Sequence, residues 1–474
     1  MKKAFTTLLI IISINIAKAQ HQEIADKAEM WRGKKKETAI DTTNLLYAFK
    51  KGQVHGHFRY FFMTTNNQNA LSDYYANAIG GGIKYETAPI KGFQFGISGF
   101  YVYNIGSSNF TILDSSTNQA NRYEMALFDV TNPSNENNIN RLEELYLKYS
   151  WKKSHLTIGK QLLNTPFINL QDGRMRPTEV GGIYGEIYEA KKLKIEGGYL
   201  YQISPRSTVE WYKINQSIGI ASQGINIDGT KGNYKNNISS NGIALIGAEY
   251  YLHKNVKVKM YEMYVGNIFN TILLQGDYNK LLTDSNKLSM ALQYLRQYAL
   301  NNGGNIDQSK TYIAKGTHAN IIGVKVGIEN SKWQTSVNYC RVTSSGRYQM
   351  PREWGRDPFF TFLPRERNEG LGDVHAYVIK TNHALPKIHS KVQLGIGYYD
   401  LPAVDNYRLN KYGMPSYTQI NIDFRHEFTG FFKGLDAQFL MVHKINNSHT
   451  IINNKYIINK VNMTNFNVVM NYHF

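Results

Sequence analysis

The sequence predicts an all-β fold, a transmembrane antiparallel β-barrel, and three observations predict it. The chain opens on an export leader and has no later apolar stretch long enough for a spanning helix. Its apolar residues fall on every second position in segment after segment. Its last ten residues form an alternating strand that stops on an aromatic, Phe474.

The leader is read first. Lys2 and Lys3 give a positive start, Phe5 to Ile16 a short apolar run, and Ala17-Lys18-Ala19 a small-x-small cleavage site. Residues 1–19 are therefore expected to be a signal peptide, with the mature chain beginning at Gln20. No later segment offers about 18 uninterrupted apolar residues. Export without a helical anchor leaves a soluble periplasmic or secreted protein, or a barrel whose membrane signal hides in alternation.

Composition favours the barrel. Mean hydropathy is −0.42, yet the chain holds 34 Tyr and 22 Phe against 11 Pro. Only alternate residues of a barrel strand face lipid, so the average stays polar while aromatics gather at the two interfaces. Cys340 is the only cysteine, so no intrachain disulfide can form. Hydrogen-bond ladders and packing must hold the chain instead.

Residues 20–50 are polar and charged without strand alternation, and include Trp31-Arg32-Gly33-Lys34-Lys35-Lys36. They read as a periplasmic segment or a lumen-entering tail, a mobile leader being the plainer reading. The barrel domain is expected over 51–474. Its first strand runs from Gly52 to Phe62, with Val54, Phe58, Tyr60 and Phe62 outward and His55, His57 and Arg59 inward. No further ligand is grouped with the two histidines, so they read as lumen-facing polar residues, and no metal or cofactor is expected.

The same unit then recurs. Phe93, Phe95, Ile97 and Tyr101 alternate with Gln94, Gly96 and Ser98; Leu145, Leu147, Tyr149 and Trp151 alternate with Glu144, Tyr146, Lys148 and Ser150. Ile322, Val324, Val326 and Ile328 oppose Gly323, Lys325, Gly327 and Glu329, and after Asn330-Ser331-Lys332 the pattern resumes at Trp333. Val392 to Tyr398, Ile420 to Phe424 and Leu435 to Met441 repeat it. A charged second face suits a water-filled lumen, although periodicity alone would also fit the solvated face of a soluble sandwich. Short turns alternate with long excursions, Ser107 to Arg141, Ser204 to Asn241 and Arg341 to Asp373. Short periplasmic turns and long extracellular loops are the habit of barrels. With strands of about 9 to 11 residues, the length allows about 16 to 20 of them.

In the closing strand Phe466, Val468, Met470, Tyr472 and Phe474 share one face. Outer-membrane barrels end in such a strand, and Phe474 with Tyr472 is expected to be the signal that the barrel-assembly machinery reads.

Several stretches resemble a known family. They are Arg141-Leu142-Glu143-Glu144-Leu145-Tyr146-Leu147-Lys148-Tyr149, Leu156-Thr157-Ile158-Gly159-Lys160-Gln161, Thr165-Pro166-Phe167-Ile168-Asn169 and Asp172-Gly173-Arg174-Met175-Arg176-Pro177. Phe58-Arg59-Tyr60, Gly81-Gly82, the Gly92-Phe93 hairpin and Pro351-Arg352-Glu353-Trp354-Gly355-Arg356-Asp357-Pro358-Phe359-Phe360, running into Arg365-Glu366-Arg367, belong with them. Together they resemble OprD-type outer-membrane porins. The resemblance implies an eighteen-stranded barrel, monomeric or a homotrimer, in the outer membrane of a Gram-negative bacterium, in contact with lipid and lipopolysaccharide. It further implies small-solute uptake through a lumen narrowed by an inward loop and lined by a ladder of basic side chains. Met175-Arg176 stands where an apolar pair is commoner, and the loops are rich in Asn.

The residues carry a chemistry of their own. Thr165 to Gly182 holds two prolines, three glycines and Asp172, Arg174, Arg176 and Glu179, and is too irregular for a membrane strand. Irregular backbone at membrane depth survives inside a barrel. Arg174 and Arg176 are expected to face Asp172 and Glu179 across the narrow point. The alternative is an external loop whose arginines pair with those acids or with lipopolysaccharide phosphates. Arg352, Arg356, Arg365 and Arg367, interleaved with Trp354, Phe359, Phe360 and Phe362, form a second cluster, and guanidinium forks suit carboxylates. Glu353, Asp357, Glu366 and Glu369 are placed to neutralise it.

The net charge of +18 falls to about +15 once Lys2, Lys3 and Lys18 leave with the leader, which favours anionic solutes and anionic lipid heads. An exported chain without a nucleic-acid fold gives no nucleic-acid partner. No Gly-x-Ser-x-Gly or His-Glu-x-x-His is present, so the chain is not read as an enzyme. Uptake of small carboxylate-bearing solutes is the expected function. An adhesin or structural barrel acting through its loops and an oligosaccharide channel, chito-oligosaccharide-like, stand as alternatives.

Overall fold

A computed structural model gives the structure of residues 30–31, 43–171, 173–448 and 453–474. Residues 1–19, expected to be a signal peptide, and Asp172 lie outside these described residues, as does most of 20–50. Eighteen strands follow one another in antiparallel pairs: β1 (Gln53–Asn67), β2 (Tyr74–Glu86), β3 (Phe93–Ser107), β4 (Ile139–Trp151), β5 (Ser154–Gln161), β6 (Glu179–Ile187), β7 (Leu193–Ser204), β8 (Ile243–His253) and β9 (Val256–Val265). They continue with β10 (Phe269–Leu281), β11 (Lys287–Ala299), β12 (His318–Glu329), β13 (Trp333–Val342), β14 (Val374–Leu385), β15 (Ser390–Asp400), β16 (Tyr417–Glu427), β17 (Leu435–Asn446) and β18 (Met463–His473). A two-residue ladder at Tyr212–Lys213 hangs on β7 outside the ring.

The sheet closes on itself. β1 pairs with β18 from His57↔His473 to Asn67↔Met463, so no strand edge is left over. Closure is what makes a sheet viable in lipid, where an unpaired backbone N–H or C=O costs several kcal/mol, about as much as any contact in the fold returns. Among the described residues no helix is long and apolar enough to cross a membrane.

The faces follow the alternation of the sequence. Ile322, Val324, Val326 and Ile328 are exposed while Gly323 and Gly327 are buried, and Phe93 and Ile97 are exposed opposite buried Gly96 and Ser98. Tyr339, Tyr377 and Tyr398 stand side by side on the outside of β13, β14 and β15, with ring centroids 5.0 and 6.5 Å apart. Such rows of Tyr place a polar hydroxyl and an apolar ring at the lipid–water boundary.

One end of the barrel carries the short connections, 87–92, 152–153, 188–192, 254–255, 282–286, 330–332, 386–389 and 428–434. The other end carries 108–138, 162–178, 205–242, 300–317, 343–373, 401–416 and 447–462, with two shorter links at 68–73 and 266–268. Both ends of the barrel sequence lie on the short-turn side. The helix Leu45–Lys50, capped by Asn44 Oδ1 accepting from Tyr47 N at 3.0 Å, leads into β1 there.

The apolar core lies inside the lumen rather than between layers. Tyr348, Trp354, Phe359 and Leu363 of the 343–373 connection pack with Val342, Ala376, Tyr399 and Tyr417 of the wall. Two sequence boundaries need correction. The first strand extends to Asn67, and Glu179–Gly182 belong to β6 rather than to the irregular segment, because their backbone pairs with β5 and β7.

Candidate functional site

Two connections turn into the lumen and meet there. In the first, Thr165 Oγ1 donates to Ile168 O at 3.0 Å and accepts from Ile168 N at 3.0 Å, a tight turn that buries Phe167 and Ile168 and presents Asn169. Asn169 Nδ2 donates to Arg356 O at 3.0 Å, and Arg356 N donates to Asn169 Oδ1 at 3.0 Å. The approach is close enough that a Cβ at Gly355 would lie 2.6 Å from Asn169 Oδ1, so glycine is required there. Trp354 is fully buried and donates its Nε1–H to Ser217 Oγ at 3.1 Å, bringing in the 205–242 connection.

The 343–373 connection crosses the lumen, and the wall holds it through its polar residues. Gln297 on β11 exchanges two hydrogen bonds with the Gln349 backbone, at 2.7 and 2.8 Å. Tyr399 OH on β15 donates to Thr361 O at 3.0 Å, and Gln419 Nε2 on β16 to Pro364 O at 2.8 Å. Arg365 reaches β18, with Nε to Asn465 Oδ1 at 3.0 Å and Nη2 to Asn467 Oδ1 at 2.6 Å. Lys444 Nζ on β17 donates to Arg365 O at 2.6 Å. Amides on the lumen face thus satisfy backbone groups of an irregular segment that no ladder could satisfy.

The arginines of the first connection are arranged differently from the expected facing charges. Arg176 Nε donates to Glu143 Oε1 at 2.6 Å, and its Nη2 pairs with Glu143 Oε2. Arg141 lies 3.0 Å from Glu143 and 3.7 Å from Glu179. Arg174 is buried with φ +52°, and its carbonyl accepts from Arg59 Nη1 at 2.6 Å. Arg59 Nε also donates to Asn471 Oδ1 at 2.7 Å. These cations bind the connection to the β1–β4 wall rather than confronting Glu179 across open space.

The reason lies in a bulge. β3 and β4 slip register between Ser98 and Gly99, so that Ser98 pairs with Glu144 and Gly99 with Leu142, leaving Glu143 unopposed. The extra residue turns Glu143 inward beside Glu144, two consecutive carboxylates on one face. Strict alternation would have sent Glu143 to lipid.

The second cluster is richer than its four arginines. Arg352 Nε donates to Glu369 Oε2 at 2.5 Å, with the guanidinium 3.7 Å over the Tyr412 ring. Arg356 and Arg367 lie 5.1 and 5.9 Å from the Phe362 ring, and Arg367 Nη1 donates to Gly355 O at 2.8 Å. Arg352, Arg356 and Arg367 are half-buried, whereas Arg365 is buried.

Around them the fold assembles cations that sequence reasoning missed. Arg122 lies 5.4 Å from the Tyr123 ring, Lys460 Nζ donates to Tyr412 O at 3.0 Å, and Lys411 Nζ to Gln349 Oε1 at 2.8 Å. In sequence these stand alone in Asn-rich connections. Lys444 had a signal, since it has lumen parity on β17.

These cations act on buried Tyr123. Burial pushes its phenol up, but Arg122, Lys444, Arg365 and Arg352 outweigh that and bring it below the ordinary tyrosine value. Burial first, then the Asp357 carboxylate, push Glu366 up to about 8. Asp357 itself rises to about 6, mainly through burial. Burial, with Arg122 and Arg352 adding to it, pushes Lys460 down to about 7.

His57 sits beside this wall, 3.1 Å from Asn471 Oδ1 and 3.2 Å from Arg176 Nη1. Among the described residues no group of His, Cys, Asp and Glu is placed to hold a metal ion.

The sequence model of the family described as outer membrane porin, OprD family, matches residues 49–349. The chain belongs to the OprD family of outer membrane porins. This OprD-family porin lies in the outer membrane, and porins of its family are channels for small solutes. Its fold is shared with crystal structures of Acinetobacter baumannii OccAB3, at 15% identity over 90% of this chain and 99% of that one with a TM-score of 0.68, and of Pseudomonas aeruginosa OccD3 (OpdP), at 12% identity over 96% of each with a TM-score of 0.68. OccK3 (OpdO) of Pseudomonas aeruginosa matches at 12% identity over 91% and 97%, TM-score 0.65. No curated protein matches the chain in sequence.

Proposed function

We propose that this OprD-family porin takes up small carboxylate-bearing solutes, amino acids and organic acids among them, over a basic path. The path begins at Lys460, Arg122 and Arg352 at the loop end, passes Tyr123, and continues to Lys444 and Arg365. Arg356 and Arg367 flank it where the two inward connections meet. The convergence of cations on the buried Tyr123 ring, Arg122 at 5.4 Å and Arg365 at 6.0 Å, carries the reading. Guanidinium forks and ammonium groups in succession offer a carboxylate a new partner at each step without a site deep enough to hold it. In a narrow lumen each cation favours an anion by about 1 kcal/mol, roughly fivefold in partitioning. Arg59, Arg174 and Arg176 are assigned to shaping the constriction, with Glu179, rather than to the charge of the path.

Liposome swelling with acidic, basic and neutral solutes of matched size tests the reading. Proteoliposomes should swell faster in amino acid or organic acid solutions than in neutral sugars of equal size. Equal rates across the panel contradict it. Assembly through the terminal Phe474 and Tyr472 is proposed alongside, on the geometry of the closing strand taken up below.

A further inference from the structure

We infer that Trp31, which precedes the barrel in sequence, is a wall residue of the solute path and sets the width of the lumen beside Arg176. Trp31 Nε1 donates to Glu144 Oε2 at 2.8 Å. The same carboxylate accepts from Lys84 Nζ and Ser98 Oγ, each at 2.9 Å, so the indole joins an existing polar cluster of the inner wall. The Arg176 guanidinium is close to two rings, 4.3 Å from Phe100 on β3 and 5.0 Å from Trp31. A third ring, His57, meets the indole edge-on at 6.4 Å.

Depth decides what this contact means. Glu144 stands near the middle of β4, about 20 Å along the strand from its turn end at the antiparallel rise. Trp31 is therefore well inside the barrel, although β1 begins at the short-turn end. Met30 beside it is 2% exposed and packs with Leu170 and Leu162 of the inward connection. Met30 serves as the anchor. Trp31 is half-buried and lies against Arg176. Phe100 holds the guanidinium from the wall and Trp31 contacts it as well, so the indole narrows the lumen beside Arg176. The inference needs only that the lumen conducts, not the carboxylate preference proposed above.

Single-channel recording in symmetric potassium chloride tests it with two variants. Trp31 belongs to no barrel strand, so both variants should keep wild-type heat-modifiability on gels. Trp31→Ala should conduct about 1.5- to 2-fold more than wild type, because a large ring is removed from a narrow aqueous section. Trp31→Cys should show a stepwise fall in current when a water-soluble methanethiosulfonate is added, with the wild type, whose lone Cys340 is buried, as control. Wild-type conductance in Trp31→Ala, or a Trp31→Cys channel that the reagent leaves untouched, overturns the inference.

Discussion

Asn169 and Arg356, 187 residues apart, exchange a reciprocal pair of hydrogen bonds, each 3.0 Å, in which the Asn169 side-chain amide grips the Arg356 backbone. The pair joins two connections that would otherwise each need their own support. Asn169→Leu removes both bonds, about 1 kcal/mol each. The variant should conduct more and with noisier openings than wild type in single-channel records. Wild-type noise and conductance would show that the wall contacts alone fix the 343–373 connection.

Arg176 and Glu143 are both buried, and removing Arg176 leaves Glu143 with Arg141, 3.0 Å away, as its cation. Breaking a buried pair costs about 3 to 5 kcal/mol, and the Arg141 contact that stays in place brings the cost below that. Arg176→Ala should lower the temperature at which the folded band is lost on gels. A single variant that melts with the wild type contradicts the pairing.

The barrel itself was legible in the sequence. Lipid-facing residues such as Ile322, Val324 and Val326 can be read because every second one must be apolar, and the structure keeps those faces. The inward turn of the 162–178 connection was also legible, since proline and glycine there forbid a ladder. The partner of Arg176 was not. It depends on a one-residue slip opposite Ser98, and a slip reverses every alternation-based assignment beyond it. Arg122, Lys411 and Lys460 were hidden for a different reason. Their meeting is set by the packing of three separate connections, which leaves no local pattern.

Glu366 gives a pH signature. Its carboxyl, pushed up to about 8 by burial and the Asp357 carboxylate, is protonated at neutral pH. Above about pH 8 it becomes an anion near Lys444, Arg367 and Lys380. Anion preference should therefore fall as pH rises through about 8, and Glu366→Gln should remove that part of the fall. A smaller decline remains in the variant, because Lys460, at about 7, and Lys411, at about 8, both driven down mainly by burial, lose charge over the same range. A pH profile identical in wild type and Glu366→Gln contradicts the assignment.

Phe474 closes the ring. Its N–H donates to Gly56 O at 3.2 Å and its carbonyl accepts from Gly56 N at 2.9 Å, while its ring lies where a Cβ on Gly56 would project. The ring stacks on Phe58 and Tyr472 with centroids 5.8 Å away in each case. Deleting Phe474, replacing it by a charged residue, or Gly56→Val should each reduce the level of heat-modifiable protein in the outer membrane. Wild-type levels in the Phe474 deletion would remove its role in assembly.

The basic path is tested most directly by the reversal potential across a low-salt potassium chloride gradient, comparing wild type with the Arg352→Gln, Arg356→Gln, Arg367→Gln triple variant. These three half-buried side chains carry charge along the path, Arg352 at its loop end and Arg356 and Arg367 where the inward connections meet, and low ionic strength leaves them least screened. The account predicts an anion-selective wild type and a reversal potential in the variant shifted toward zero or to the cation side. An unchanged anion preference in the triple variant, with the barrel intact on gels, would contradict it.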